Sequence, residues 1–593
     1  MKKIFIIILT ISMAFPSCQK TLEKEFYNPE VYSKVGDAFS GYFTKTLYTW
    51  RLYVQDYGEW WWEIAGSGAM GVLGYSQISQ RYITDRYSWF IDYDDLSGAN
   101  GFGNDGQLYN NRFGAFYVGM NAWPAMKAQI AGVTGQELDD NQIYYALTTV
   151  MKDYYALMTV DFYDNIPYSE AFKGSEKIFF PKYDDPKEIY LSVLNELKQI
   201  SEELPTMHSK MSASAKATFA TQDIAFNGDV NKWIQYINAI RLRFSVRISG
   251  VEEATAKSHI QDLITKNNFP AQDLVWQMPY SQGSNYGGEW IRGISEGWPG
   301  TFITDIIMRR MNYGDSTYQP GVDDPRLPVL AMPIATSKYS TGASDPDTLV
   351  YKGINMNADG QKPGYVAGER YYTGGPTGDV NRNLKENYRS MYNLATFHRN
   401  ENFPIYMTSR AEIDLLLAEV ALKNLATTPK TSSMYLQDAV SHSTDFWYMI
   451  NQKSPTSVGS PGSFAVLRPA KPGNTEISTY SGTLATRFNS KTSVDDKMEI
   501  IMQQKYIHFN LMYPYELWAE LRRTRHPKLE PFTFATKIMK PLPERLRYPV
   551  SERSNNPDNY ELNKAKDNFT TPIFWVPTSL RTVSPYWPDY NYE

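Results

Sequence analysis

A chain of 593 residues is far above the size at which folding buries a substantial core, and it has room for several domains. Its 59 basic and 64 acidic side chains leave a formal charge of −5 with no Lys or Arg block, which argues against a nucleic-acid partner. A single cysteine excludes an internal disulfide framework, so core packing must supply the stability.

The chain opens with Lys2 and Lys3, an apolar run from Ile4 to Ala14, and Ser17 just before Cys18. This is the pattern of a signal peptide over residues 1–17, too short to span a bilayer. A cysteine directly after such a leader can be alkylated by lipid once the leader is cut, so Cys18 is read as a lipid anchor. Phe15 and Pro16 depart from the usual Leu-small-small-Cys pattern. Two or three acyl chains, at about 0.8 kcal/mol per buried CH₂, hold a protein on a membrane for good. Residues 18–29 read as a polar tether, and no later stretch is apolar enough for a transmembrane helix.

Glu59-Trp60-Trp61-Trp62-Glu63 is the densest aromatic cluster. Successive side chains diverge on helix and strand alike, so at least one indole is expected at the surface unless all three lie between helices. Tyr75 and Gln77 follow a Gly-rich stretch. Gly101 to Gly106 spells G-x-G-x-x-G, but it follows Asp92, Asp94 and Asp95 rather than an apolar strand, so a nucleotide site is rejected. That acidic loop lacks EF-hand spacing, and no metal is assigned to it.

Helical patterns dominate up to about residue 250. Asp185, Pro186 and Glu188 mark a helix start, after which Ile189, Val193, Leu194, Leu197 and Ile200 fall on one face. Asp229 opens a helix carrying Trp233, Ile237, Ile240, Phe244 and Ile248 at three- and four-residue steps. From 251 to 403, Gly, Pro, Ser and Asn are frequent and no long helical period appears, which reads as structured loops and short strands. Tyr286, Trp290 and Trp298 lie there in a Gly-rich setting that could present rings and backbone amides to a ligand. Ser409 and Glu412 form a capping box. Residues 454–491 read as irregular, Asp495 or Asp496 as a cap, and 527–593 as mostly extended. The fold class is therefore mostly α: a scaffold of paired, tetratricopeptide-like helices over about 30–250 and 404–526, a large loop-rich portion over 251–403 and few short strands, taken as one domain from 30 to 593.

Several segments together resemble the SusD/RagB family of outer-membrane nutrient-binding lipoproteins of Bacteroidetes. Asp161-Phe-Tyr-Asp-Asn-Ile-Pro-Tyr-Ser-Glu-Ala171 is similar to its D-x-x-G-D-I-P-Y-S-E-A segment, with Asp164-Asn165 in place of Gly-Asp. Phe226-Asn-Gly-Asp229, Lys232-Trp233 and Asn238 to Arg243 resemble GD-x-x-KW-x-K-x-x-NSL-x-LR. Asp324-Pro-Arg-Leu327, Leu417-Ala-Glu419, Glu516-Leu-Trp518 and the ending Arg547-Tyr-Pro549 with Glu552 and Asn556 follow in order. The resemblance implies a right-handed scaffold of about four tetratricopeptide-like units. It also implies a surface-displayed, lipid-anchored protein at the outer membrane that passes a glycan or other nutrient to a SusC-like TonB-dependent transporter, without enzymatic activity or cofactor. The acids and tyrosines of the first segment, and Arg241, Arg243 and Arg247, read as scaffold.

The candidate ligand-binding residues are Trp60, Trp61, Trp62, Tyr75, Tyr286, Trp290 and Trp298. An indole offers a sugar's C–H face a platform worth about 0.5–1.5 kcal/mol beyond area. The six histidines form no H-E-x-x-H set and no G-x-S-x-G elbow occurs. Two alternatives stay open: a surface glycoside hydrolase whose acid pair comes from distant segments, and a peptide-binding member of the same family. Replacing Cys18→Ser is expected to abolish fatty-acid labelling and move the protein from the membrane to the soluble fraction. Unchanged membrane partition would refute the anchor.

Overall fold

The structure is a computed structural model that describes residues 35–54, 79–80, 113–114, 116–277, 302–312, 317–333, 350–353, 390, 392–398, 400, 402–454, 467–529, 533–534, 537–538 and 543–584. The first half holds α1 (Val35–Val54), α2 (Ala122–Ile130), α3 (Gly135–Tyr163), α4 (Pro186–Lys210), α5 (Ala213–Gln222), α6 (Val230–Ile248) and α7 (Glu253–Lys266). After the short α8 (Asp305–Met311) and α9 (Leu327–Leu330) come α10 (Arg410–Leu422), α11 (Ser432–Lys453), α12 (Asn474–Ser490), α13 (Val494–Phe509) and α14 (Pro514–Thr524). Two short helices, α15 (Val550–Asn555) and α16 (Pro557–Asn563), follow. Sequential helices pack as pairs, α3 with α4, α6 with α7, α10 with α11 and α13 with α14, while α6 also packs on α4 and α10 and so joins the two halves. The strands described form four two-stranded antiparallel pairs, and the fold is mostly α, as expected.

The helix starts follow from local hydrogen bonding. Asp185 accepts from the Lys187 amide at 2.9 Å with Pro186 at the first position, and Asp229 accepts from Lys232 at 3.1 Å. Every residue of the two apolar stripes named above is buried. Ser409 caps α10 by accepting from the Glu412 amide at 3.0 Å, but the box is only half made. The Glu412 carboxylate turns to Arg243 and to the Tyr406 hydroxyl, where a buried charge gains more than at a helix end.

Four sequence expectations change. Ser493, rather than Asp495 or Asp496, caps α13 by accepting from the Asp496 amide at 3.0 Å, leaving both acids in the first turn where the helix dipole favours them. The 14-residue α7 stands inside the stretch read as loops. The 17-residue α12 stands in the second irregular stretch, where Ser and Thr mask a buried face of Ile477, Tyr480, Leu484 and Phe488. Past Pro527, prolines initiate helices instead of extending the chain, since Pro557 takes the first position of α16.

The acids of the matched segments serve the scaffold, as the residues suggested. Asp223 gathers the amides of Ala225, Phe226 and Gly228 and the Trp233 indole N–H onto one carboxylate, fixing the turn before α6. Asn227 and Gly228 take φ of 55° and 77° there, and a Cβ on Gly228 would come within 3.0 Å of the Ala220 backbone. Asp184 accepts from the amides of Tyr168 and Ser169 and from the Ser169 hydroxyl, which ties the Ile166–Pro167 strand to Tyr183–Asp184.

At the centre lies a charged network. Arg243 on α6 makes two hydrogen bonds to Glu412 on α10 at 2.5 and 2.9 Å, and Arg241 pairs with Asp262 on α7 at 2.9 Å. Arg247, one turn beyond Arg243, donates to Asp161 on α3 and to Glu516 and Glu520 on α14. Arg523 pairs with Glu419 through both terminal nitrogens at 2.7 Å. Burial pushes the Glu412 carboxyl up, and Arg243 more than offsets this, holding it below its ordinary value.

Arg247→Met leaves three buried carboxylates facing one another and is expected to lower stability by about 3–5 kcal/mol in denaturant titrations. A loss below 1 kcal/mol would show that the network is dispensable. His508, bridging Ser409 and Ser443, is fully buried. Burial, helped by Arg326, pushes its pKa down to about 3. The unfolded chain takes up this proton first, so the term costs stability as pH falls below about 6.5. Relative to wild type, His508→Gln should make the change in stability from pH 7 to 5.5 more favourable by about 1 kcal/mol. Parallel pH profiles would contradict that assignment.

Candidate functional site

Cys18, Trp60, Trp61, Trp62, Tyr75, Tyr286, Trp290 and Trp298 lie outside the described residues, as do Gln77 and the acidic G-x-G-x-x-G loop. Among the described residues, a cavity of about 390 Å³ opens between α2, α3 and the segment that follows the Ile166–Pro167 strand. Trp123, Lys127, Lys152, Tyr168, Phe172 and Lys173 line it, with Ser169, Ser175 and Glu176 at its edge.

Helix α3 supplies the floor. Lys152 is buried and reaches Asp153 at 2.7 Å, Glu196 of α4 at 3.2 Å and the Tyr168 hydroxyl at 3.0 Å. Burial opposes its charge, but Asp153, Tyr168 and Glu196 overcome that and raise the lysine pKa. Its ammonium sits 4.8 Å from the Trp123 ring centroid and 5.1 Å from that of Tyr168. The Trp123 indole is half-buried, fixed by donation to Thr149 at 2.9 Å and by stacking on Tyr145 at 6.0 Å.

The opposite wall is a turn. The Ala171 amide returns to the Tyr168 carbonyl, and Phe172 then takes a φ of 62°. A bulky residue in the left-handed region costs about 1–3 kcal/mol, and here the cost aims a half-buried ring at the cavity, 6.0 Å from Trp123. Lys177, at φ 63°, closes the single 3-10 turn Gly174–Glu176 behind it. Two further ammonium groups belong to the rim. Lys127 is exposed and lies 5.1 Å from the Trp123 centroid, and Lys173 is half-buried. Neither forms an ion pair with a described residue.

Such a cavity can stack a ring and bind an anionic or hydroxyl-bearing group. The Lys152–Asp153 pair is consumed internally, and no group of three or more His, Cys, Asp or Glu among the described residues could hold a metal ion. Sequence reasoning missed this site because its aromatics are scattered singly. The one available signal was Lys152-Asp153, a charged pair in a stretch of α3 that is otherwise apolar or hydroxyl-bearing.

The family profile described as starch-binding associating with outer membrane, SusD-like, matches residues 83–549. The chain belongs to the SusD-like family. Its fold is similar to that of a SusD homolog from Bacteroides vulgatus ATCC 8482, with 18% identity, a TM-score of 0.61 and coverage of 93% of this chain and 99% of that one. A SusD homolog from Bacteroides fragilis NCTC 9343 shows 17% identity and a TM-score of 0.59 over 87% and 98% of the two chains. A chitin-binding SusD homolog from Flavobacterium johnsoniae shows 16% identity and a TM-score of 0.59 over 91% and 98%. No curated protein matches the sequence. Among the described residues, no helix of this SusD-like protein is long and apolar enough to cross a membrane.

Proposed function

We propose that this SusD-like protein is a non-enzymatic surface lipoprotein, anchored through Cys18 at the outer membrane, that binds a glycan and delivers it to a SusC-like TonB-dependent transporter. The observation that carries the reading is the family match over residues 83–549, a family described as starch-binding and associated with the outer membrane. The likeness to a chitin-binding homolog supports a saccharide ligand but does not choose among polymers. Trp60, Trp61, Trp62, Tyr75, Tyr286, Trp290 and Trp298 are the proposed contacts. Two or three ring contacts give modest affinity, and a permanent tether beside a transporter compensates by raising local concentration.

Affinity electrophoresis through gels containing starch, chitin derivatives or other polysaccharides tests the reading. Retardation without release of reducing ends is expected, with Trp60→Ala, Trp61→Ala, Trp62→Ala or Trp290→Ala weakening it about threefold to tenfold per ring lost. Reducing-end release by the purified protein would favour a surface glycoside hydrolase instead. Unchanged affinity in all four variants would remove these tryptophans from the site.

A further inference from the structure

The geometry points to the cavity on α2 and α3 as a separate binding site for a saccharide ring that carries an anionic group, a uronate or a sulfated sugar. None of the tryptophans proposed above is among its lining residues, and it rests on the glycan-binding reading only in taking the ring to be a sugar.

Three features select this ligand. Its volume of about 390 Å³ is at the small end of ligand pockets, with space for about one or two sugar rings. Phe172, held in place by the strained turn, gives it a ring surface for C–H groups, while the Trp123 and Tyr168 rings carry the Lys127 and Lys152 ammonium groups at 4.8–5.1 Å. Its charge is lopsided. Lys152 has counter-ions in Asp153 and Glu196, whereas Lys127 and Lys173 form no ion pair with a described residue, and Glu176 is the one acid among the lining residues. An ammonium lacking a fixed partner exchanges water for a carboxylate or sulfate at little desolvation cost, and the resulting hydrogen bonds are charge-assisted. A neutral sugar would use the Phe172 ring and leave both ammonium groups idle. The edge hydroxyls suit a sugar too: Ser169 donates to Asp184 at 2.7 Å, so its oxygen is left to accept from a ligand hydroxyl.

Isothermal titration of the full-length protein with trigalacturonate, a sulfated disaccharide and maltotriose tests the site. We expect trigalacturonate or the sulfated sugar to bind, and whichever does identifies the anion. Lys127→Gln with Lys173→Gln should weaken that binding about tenfold or more, the effect of losing charge-assisted hydrogen bonds. Ser175→Trp, which narrows the exposed rim without touching the floor, should abolish it, and both variants should melt as the wild type does. Raised salt should weaken binding of the acidic probe and leave any binding of maltotriose unchanged. Absence of binding by both acidic probes, or equal affinity in the variants, overturns the proposal, as does a tetraglutamate peptide binding as tightly as either sugar. Retention on neutral polysaccharide gels alongside no acidic binding would leave the function proposed above standing while removing this site. Lysine-dependent acidic binding without any polysaccharide retention would do the reverse.

Discussion

The Arg247 guanidinium, buried between Asp161, Glu516 and Glu520, is the contact on which the two halves of this molecule depend. Asp161 lies in the last turn of α3 in the first half, the two glutamates belong to α14 in the second, and the arginine rises from α6 between them. A buried ion pair adds little net stability over an apolar core, because desolvation consumes most of the attraction. Its effect is on geometry: a planar guanidinium satisfies several carboxylates only if the helices that carry them meet at one distance and angle. Arg243 repeats the device one turn earlier with Glu412, and Arg523 repeats it between Glu419 and Glu520. Helix pairs that can slide as apolar faces are thereby held in one register.

Aromatic and backbone groups complete much of the network. Asp161 also accepts from the Tyr190 hydroxyl and, at 2.7 Å, from the Trp575 indole, so residues near the end of the described chain seal the site where α3 stops. Arg522 stacks 3.7 Å from the Trp518 centroid while donating to the carbonyls of Asp161 and Glu544. The high aromatic content of the sequence is explained in good part here, as rings with polar tips that complete a charged interior.

What could be read from sequence divides along physical lines. Caps at Asp185, Asp229 and Ser409 were legible because the amide they serve lies two or three residues away. Amphipathic helices α4 and α6 were legible because one face is apolar. Helix α3, buried along most of its length, carries Thr148, Lys152, Asp153, Thr159 and Asp161 inside the protein, so its polar residues break the period that would reveal it. Helix α12 hid behind a Ser- and Thr-rich surface. The cavity was not legible, since Trp123, Lys152 and Phe172 come together only through packing. The tryptophans favoured from sequence lie outside the described residues.

The left-handed Phe172 turn separates two kinds of constraint. The floor beneath it is shared with the core, because altering Lys152 or Thr149 disturbs α3 and everything packed on it. The rim, made of Lys173, Ser175, Glu176 and the exposed edge of α2, lies outside that floor, with Phe172 packed between them on Phe116 and Trp123. Lys173, Ser175 and Glu176 meet solvent more than core, so charge and shape can vary along this edge while the helices beneath it stay as they are.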